Sequence, residues 1–413
     1  MLYPSPNRNA APPRVVITGA GIVTALGLGW KPNAEGFQAG RSAFCPVSLF
    51  DVSRQRVKTA AQVNLPDTLP SNNLAPRQVA RLDRAAVMLL LASTEAWRQA
   101  GWDSAELVPF VLGTTAGGMQ LGEKYFLQAR EQPRHQRGQP TRALCYQSQT
   151  QARLVAEALG FTGPVMLVSN ACASGANAIG QAWELIRGGR AQRALTGGYD
   201  ALSQIVFAGF DSLQALTPTT CRPFDAARDG LALGEGAGIV ALETLESARR
   251  RGAEILAELV GYGTTVDTHH LTQPHPQGDA ALSSMRLACE SAHVAPADID
   301  YVNAHGTGTP LNDSAEALAI CRWADGHAAT LPVSSTKASV GHLLGGAGAV
   351  EAVVCIMSLR EQWLPPEASF DRPDPVCKFP IVAQPQSARL DLALSNSFGF
   401  GGVNASLVLK RWH

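Results

Sequence analysis

Apolar and polar positions fall in blocks that change period along the chain. Residues 14–27, RVVITGAGIVTALG, begin with an apolar run that predicts a short buried strand followed by a glycine-containing turn. Residues 77–100, RQVARLDRAAVMLLLASTEAWRQA, are apolar enough to predict a mostly buried helix closed by Gly101. VPFVLGTTAGGM reads as a β-run opening into Gly113, Gly117 and Gly118. QARLVAEALG reads as a helix and PVMLVS as a second buried strand.

The two halves of the chain echo one another. PVMLVSNACASGANAIGQAWELIRGG runs strand, tight loop, small-residue helix, and LPVSSTKASVGHLLGGAGAVEAVVCIMSLRE repeats that order. Glycine and alanine crowd the start of each helix, which suits helices buried on every side. Two related α/β halves are therefore expected, divided near 255–265 in AELVGYGTT. The opening glycines do not make a dinucleotide site. Gly19, Gly21 and Gly27 miss the GxGxxG spacing, and no acidic residue ends a clear second strand at the expected distance.

Composition narrows the class. A chain of 413 residues, 46% hydrophobic and 16% charged, can bury a large core. Its 34 basic residues balance 34 acidic ones, so no global field draws it to nucleic acid or to an anionic membrane. No apolar run approaches the roughly 18 residues that span a bilayer. The Pro-rich leader, residues 1–13, lacks the apolar stretch of a signal peptide. The eight cysteines, at 45, 145, 172, 221, 289, 321, 355 and 377, show no CxxC pair. Free thiols of this kind suit the cytoplasm. DTHHLTQPHP brings His269, His270 and His275 close in sequence, but without a recognised ligand spacing, so no metal is expected.

One cysteine and two histidines stand in special surroundings. Cys172 lies where a strand gives way to a helix, so its sulfur faces unpaired N–H groups that favour a thiolate. That effect, on the order of 0.3–2 kcal/mol, moves a thiol toward neutrality without completing its ionisation. His305 follows an apolar stretch in YVNAHGTGTP, and His342 precedes a glycine-rich helix five residues after Lys337. Each has an ordinary structural reading alone. Together, in Gly/Thr-rich turns, they fit a thiol enzyme that also needs neutral imidazole donors.

NACASGANAIGQA, NAHGTGTP, SSTKASVGHLLGGAGAVEA and NSFGFGGVN resemble the motif set of the elongating β-ketoacyl-acyl-carrier-protein synthases. CRPFDAARDGLALGEGAGIVALE is similar to their segment between the halves, and the likeness runs from Arg14 to Lys410. The resemblance implies a thiolase fold, two duplicated α/β halves in a five-layered αβαβα arrangement. Residues 14–256 would carry the nucleophile and 257–413 both histidines. It implies that Cys172 accepts an acyl group from acyl-carrier protein, and that His305 and His342 stabilise the enolate formed as malonyl-carrier protein loses carbon dioxide. Two N–H donors suit a charge created only in the transition state.

By the same resemblance Lys337 pairs with an acid, Glu351 as first choice and Glu316 as second. Phe400 would be a gate whose backbone N–H joins that of Cys172 in an oxyanion hole, with Gly399, Gly401 and Gly402 freeing the loop. Thr307 and Thr309 would bind the pantetheine arm, and His270 would stand at the entrance. Ala116, where relatives often have isoleucine or glycine, is expected to widen an acyl tunnel lined by Phe210. The resemblance further implies no cofactor beyond phosphopantetheine on the carrier protein, a homodimer or a heterodimer with a related subunit, and a Lys/Arg patch at the tunnel mouth. LTPTTCRPFD is shorter than the matching loop of housekeeping fatty-acid enzymes, so a polyketide or polyene pathway, with a chain-length-factor partner, stands beside fatty-acid synthesis. A degradative thiolase would need a second cysteine near the C-terminus, where NSFGFGGVN has none. A non-catalytic chain-length subunit would lack Cys172.

Overall fold

The computed structural model describes residues 11–102, 107–131 and 146–413. Residues 1–10 of the expected leader, and Cys145, lie outside them.

The first apolar run does not stop at a glycine turn. It continues as one fully buried strand, β1 (Val15–Thr24). The reason lies in helix α1 (Arg84–Ala100), which crosses its face. A Cβ at Gly19 would fall 2.1 Å from the Ala96 carbonyl oxygen, and one at Gly21 would fall 1.9 Å from that of Ala92. These glycines serve close backbone approach, and a bulge between Ile17 and Gly19 accommodates it. The helix expected over 77–100 is split. Pro76–Val79 is a separate short turn, and α1 starts where the Asp83 carboxylate accepts the Ala86 N–H at 2.7 Å. It ends at Gly101, with φ of 62°.

Four more strands complete the first half: β2 (Phe110–Gly113), β3 (Val165–Val168), β4 (Arg193–Asp200) and β5 (Gly236–Thr244). The second half supplies β6 (Ala257–Val266), β7 (Tyr301–Asn303), β8 (Val333–Ser334), β9 (Leu392–Phe398) and β10 (Val403–Arg411). Their order in one sheet is β8-β7-β9-β10-β6-β1-β5-β4-β2-β3. Outward from the centre each half therefore runs first, fifth, fourth, second, third strand. In each, the two inner pairings are antiparallel and the two outer ones parallel. The halves join where β1 pairs with β6, Val15 opposite Leu259 and Ile17 opposite Ala257. The echo in sequence is an echo in topology.

Helices α1 and α2 (Gln149–Leu159) cover the outer face of the first half, and α4 (Asp279–Ala292) with α5 (Pro310–Ala324) that of the second. Between the halves lie α3 (Ser174–Arg187) and α6 (Ala347–Glu361), giving the five layers of a thiolase-like fold. Every residue of α6 from Ala347 to Leu359 is buried, as its all-round apolar sequence predicts. Small residues let the two central helices touch. A Cβ at Gly175 would lie 3.0 Å from the Ala349 nitrogen, and one at Gly348 would lie 2.9 Å from the Ala176 methyl.

The expectation of a buried strand at PVMLVS needs correction. β3 is the outer edge of the sheet, with Val165 exposed and Met166 and Leu167 half-buried. An apolar run records which residues avoid water, not whether a neighbour inside the same chain covers them.

Candidate active site between the two halves

The loop from β3 to α3 makes a tight corner. Ala171 sits at φ of 56°, the left-handed region that costs alanine roughly 1–2 kcal/mol. Its carbonyl oxygen is held by three donors: the Ser174 N–H at 3.1 Å, the Ser174 hydroxyl at 2.6 Å and the Thr115 hydroxyl at 3.0 Å. The corner delivers Cys172 to the start of α3, 7% exposed, and the Phe400 backbone N–H donates to its sulfur. Burial pushes the thiol up to about 11, with the Phe400 N–H and the Lys337 ammonium pulling the other way. The expected shift toward neutrality is thus reversed. Desolvation of the sulfur exceeds the ~0.3–2 kcal/mol a helix terminus supplies.

Across the seam, His305 and His342 are each 2% exposed, their ring centroids 5.4 Å apart and nearly perpendicular. The Leu344 backbone N–H donates to His342 Nδ1 at 3.2 Å, and Lys337 Nζ lies 3.4 Å from His305 Nδ1. An amide N–H and an ammonium can only donate, so both Nδ1 atoms accept and both rings carry their hydrogen on Nε2. Burial first, and the Lys337 charge next, hold both imidazoles well below their ordinary value, hence neutral. Among the described residues His342 Nε2 has no hydrogen-bond partner.

Lys337, 1% exposed, forms an ion pair with Glu351 and donates to the His305 carbonyl oxygen at 2.6 Å. Glu316 does different work. Its two oxygens accept the His305 and Gly306 N–H groups, each at 2.8 Å, and the Asn396 amide reaches it at 3.2 Å. Burial raises Glu316 to about 7 against the pull of those donors.

A cavity of about 310 Å³ opens onto Cys172, His305 and His342 together. Thr307 and Thr309 are on its wall, their hydroxyls 2.8 Å apart. Phe210 and Phe400 line it too, stacked with ring centroids 5.8 Å apart. His270 is exposed at its rim.

Family models decide the kinship. The model of the beta-ketoacyl synthase N-terminal domain matches residues 13–248, and that of the C-terminal domain matches residues 256–371. The chain belongs to the β-ketoacyl synthase family. A putative polyketide beta-ketoacyl synthase 1 of Streptomyces halstedii is 39% identical, covering 96% of this chain and 97% of its own. The 3-oxoacyl-[acyl-carrier-protein] synthase 2 of a Synechocystis strain is 37% identical, covering 97% and 98%. The solved ishigamide ketosynthase/chain length factor superposes with a TM-score of 0.91 at 33% identity, covering 98% of this chain and 100% of its own.

Other expected features of this synthase fall away from the cavity. Lys337 and Glu351 stand behind the histidines, off its wall. Ala116 is buried in the apolar cluster against which the wall residue Phe210 packs. Its N–H donates to Asp200 at 2.8 Å, and its methyl packs in an apolar cluster with Phe207 and Leu344. Among the described residues no lysine or arginine lines the cavity. Around the histidine-rich loop, His269 and His275 approach ring to ring at 5.2 Å, but no three metal-ligating side chains converge there or elsewhere among the described residues.

Sequence reasoning missed Asp200. It ends β4 as a fully buried carboxylate, and burial raises its pKa while surrounding donors lower it. A charge closing the apolar run RALTGGYD was the available signal, since a buried charge must find partners.

Proposed function

We propose that this synthase transfers an acyl group from acyl-carrier protein to Cys172 and then condenses it with malonyl-carrier protein. In the first step Cys172 Sγ attacks the acyl thioester. The acyl carbon to pantetheine sulfur bond breaks, and the thiol proton ends on the departing phosphopantetheine. Loading draws the Cys172 and Phe400 N–H groups toward the thioester oxygen, as an oxyanion hole requires. In the second step malonyl-carrier protein loses carbon dioxide, leaving an enolate whose oxygen His305 and His342 stabilise through Nε2–H. The enolate carbon bonds to the acyl carbon, the bond to Cys172 sulfur breaks, and the released thiolate takes up one proton. The product is β-ketoacyl-carrier protein.

One observation carries this reading: a buried cysteine and two neutral, Nε2-protonated histidines share a cavity, and His342 Nε2–H is left without a partner among the described residues. Buried donors go unpaired where a ligand is to complete them. Thr307 and Thr309 stand where the pantetheine arm would pass, His270 marks its entrance, and Lys337 with Glu351 fixes His305 from behind. Residues 14–256 and 257–413 act as the two catalytic halves.

The partners are an acyl-carrier protein and a second subunit, either a copy of this chain or a related one. The open edge of β3, with Val165 exposed, supports pairing with another chain. The Streptomyces relative and the ketosynthase/chain length factor structure support a type II polyketide role as much as fatty-acid synthesis. No helix among the described residues is long and apolar enough to cross a membrane, and action in the cytoplasm is the reading adopted. Incubation with malonyl-carrier protein and a panel of acyl-carrier proteins, read by product mass, tests the proposal. A β-ketoacyl product two carbons longer supports it, and release of no carbon dioxide with any acyl donor overturns it.

A further inference from the structure

Two corners of the cavity are held in unfavourable backbone conformations. Ala171, immediately before Cys172, has φ of 56°, and Leu344, whose N–H orients His342, has φ of 51°. Neither is glycine, so each must be over-determined by its surroundings. The corners come from different halves of the molecule, yet one side chain reaches both.

That side chain is Asp200. Toward the first half its carboxylate accepts the Thr114 hydroxyl at 2.6 Å and the N–H groups of Thr115, Ala116 and Gly117 at 2.9, 2.8 and 3.1 Å. The Thr115 segment so fixed places its own hydroxyl on the Ala171 carbonyl oxygen at 3.0 Å. Toward the second half Asp200 Oδ2 accepts the Gly345 N–H at 2.6 Å, one residue beyond Leu344. Glycine is required there. A Cβ at Gly345 would fall 2.6 Å from the Thr115 nitrogen, so the two segments meet backbone to backbone across the carboxylate.

We infer that Asp200 is a positioning residue that sets the Cys172 corner and the His342 corner from one carboxylate, so that acyl loading and malonyl decarboxylation depend on it jointly. It lines no part of the cavity and touches no reacting atom. All five contacts are donors, which an ionised carboxylate satisfies and an amide cannot: Asn in its place would turn an NH2 group against N–H donors. The inference rests on the two-step reading of the site proposed above.

The test uses the full chain with Asp200→Asn, Asp200→Glu, Thr115→Val and, as control, Glu243→Gln. Glu243 is a buried carboxylate bonded to Thr18, Trp102 and Arg251, away from the cavity. Acyl loading is read by intact mass, decarboxylation by carbon dioxide release from malonyl-carrier protein, and folding by thermal midpoint. Asp200→Asn should lower kcat of both steps by about tenfold or more while KM for either carrier protein stays within about twofold. Asp200→Glu should recover part of both. Glu243→Gln should lower the thermal midpoint and leave both steps unchanged, which separates positioning from stability. Thr115→Val, on an exposed residue, should slow loading alone. Should Asp200→Asn not fold, normal loading by Thr115→Val overturns the inference, as does an Asp200→Asn protein that keeps either step at the wild-type rate. A wild-type protein that performs neither step refutes the reaction itself, a result distinct from either.

Discussion

The Leu344 N–H binds His342 Nδ1 at 3.2 Å and thereby assigns the one N–H hydrogen of the neutral ring to Nε2, the atom with no partner of its own among the described residues. A backbone amide thus chooses the tautomer that can donate into the cavity. Removal of one such donor from a site that stabilises a developing oxyanion costs ~10²–10³ in kcat. His342→Ala should therefore lower carbon dioxide release from malonyl-carrier protein by that factor while leaving measurable acyl loading. His342→Gln, whose amide restores an N–H, should fall between. Unchanged decarboxylation in His342→Ala would remove the imidazole from the mechanism.

Cys172 is the sulfur on which both steps turn, so Cys172→Ala should show no acyl adduct by intact mass under conditions that load the wild type. The thiol's raised pKa adds a second measurement. With a value near 11, the resting side chain is a neutral thiol at pH 7, and its thiolate fraction grows about tenfold for each pH unit up to 10. Alkylation of Cys172 by iodoacetamide should rise accordingly across pH 7–9.5. A rate that levels off below pH 8 would mean that the helix terminus and Phe400 outweigh burial after all.

Much of this site was legible in sequence, for identifiable reasons. A strand that stops short of a small-residue helix specifies the corner at Cys172, and a helix end at Gly101 follows from the one residue that takes left-handed φ freely. What escaped depends on a second element. Gly19 and Gly21 read as a turn because turn glycines and close-packing glycines look alike until α1 is laid against them. Asp200 serves backbone groups as far apart in the chain as Thr115 and Gly345, which no local pattern displays.

Lys337 and Glu351 are both almost wholly buried, and their pairing is what permits either charge to be there. Lys337→Met would strand the carboxylate and Glu351→Leu the ammonium, each costing roughly 3–5 kcal/mol of stability. Combining the two should cost less than either alone suggests by addition, because no unpaired charge remains. Chemical denaturation of the four proteins measures the coupling. Strictly additive losses would show that the pair contributes no interaction of its own. Since Lys337 also donates to the His305 carbonyl oxygen, the double variant should regain stability while still decarboxylating slowly.

Glu316 brackets the same histidine from the other side, accepting the N–H groups of His305 and Gly306. Its folded value is raised to about 7, so between pH 4.5 and 7 the folded protein holds a proton that the unfolded chain releases. The sign follows: this group's contribution is complete below the unfolded value and is lost as pH rises through about 7, up to ~1.4 kcal/mol per pH unit and roughly 3 kcal/mol over the window. Glu316→Gln cannot titrate. The stability difference between wild type and Glu316→Gln, followed by denaturant unfolding from pH 5 to pH 8, should therefore shift against the wild type as pH rises and become constant above about pH 8. A difference independent of pH would mean that the three donors keep Glu316 ionised throughout, and that the His305 turn is held by a permanent carboxylate.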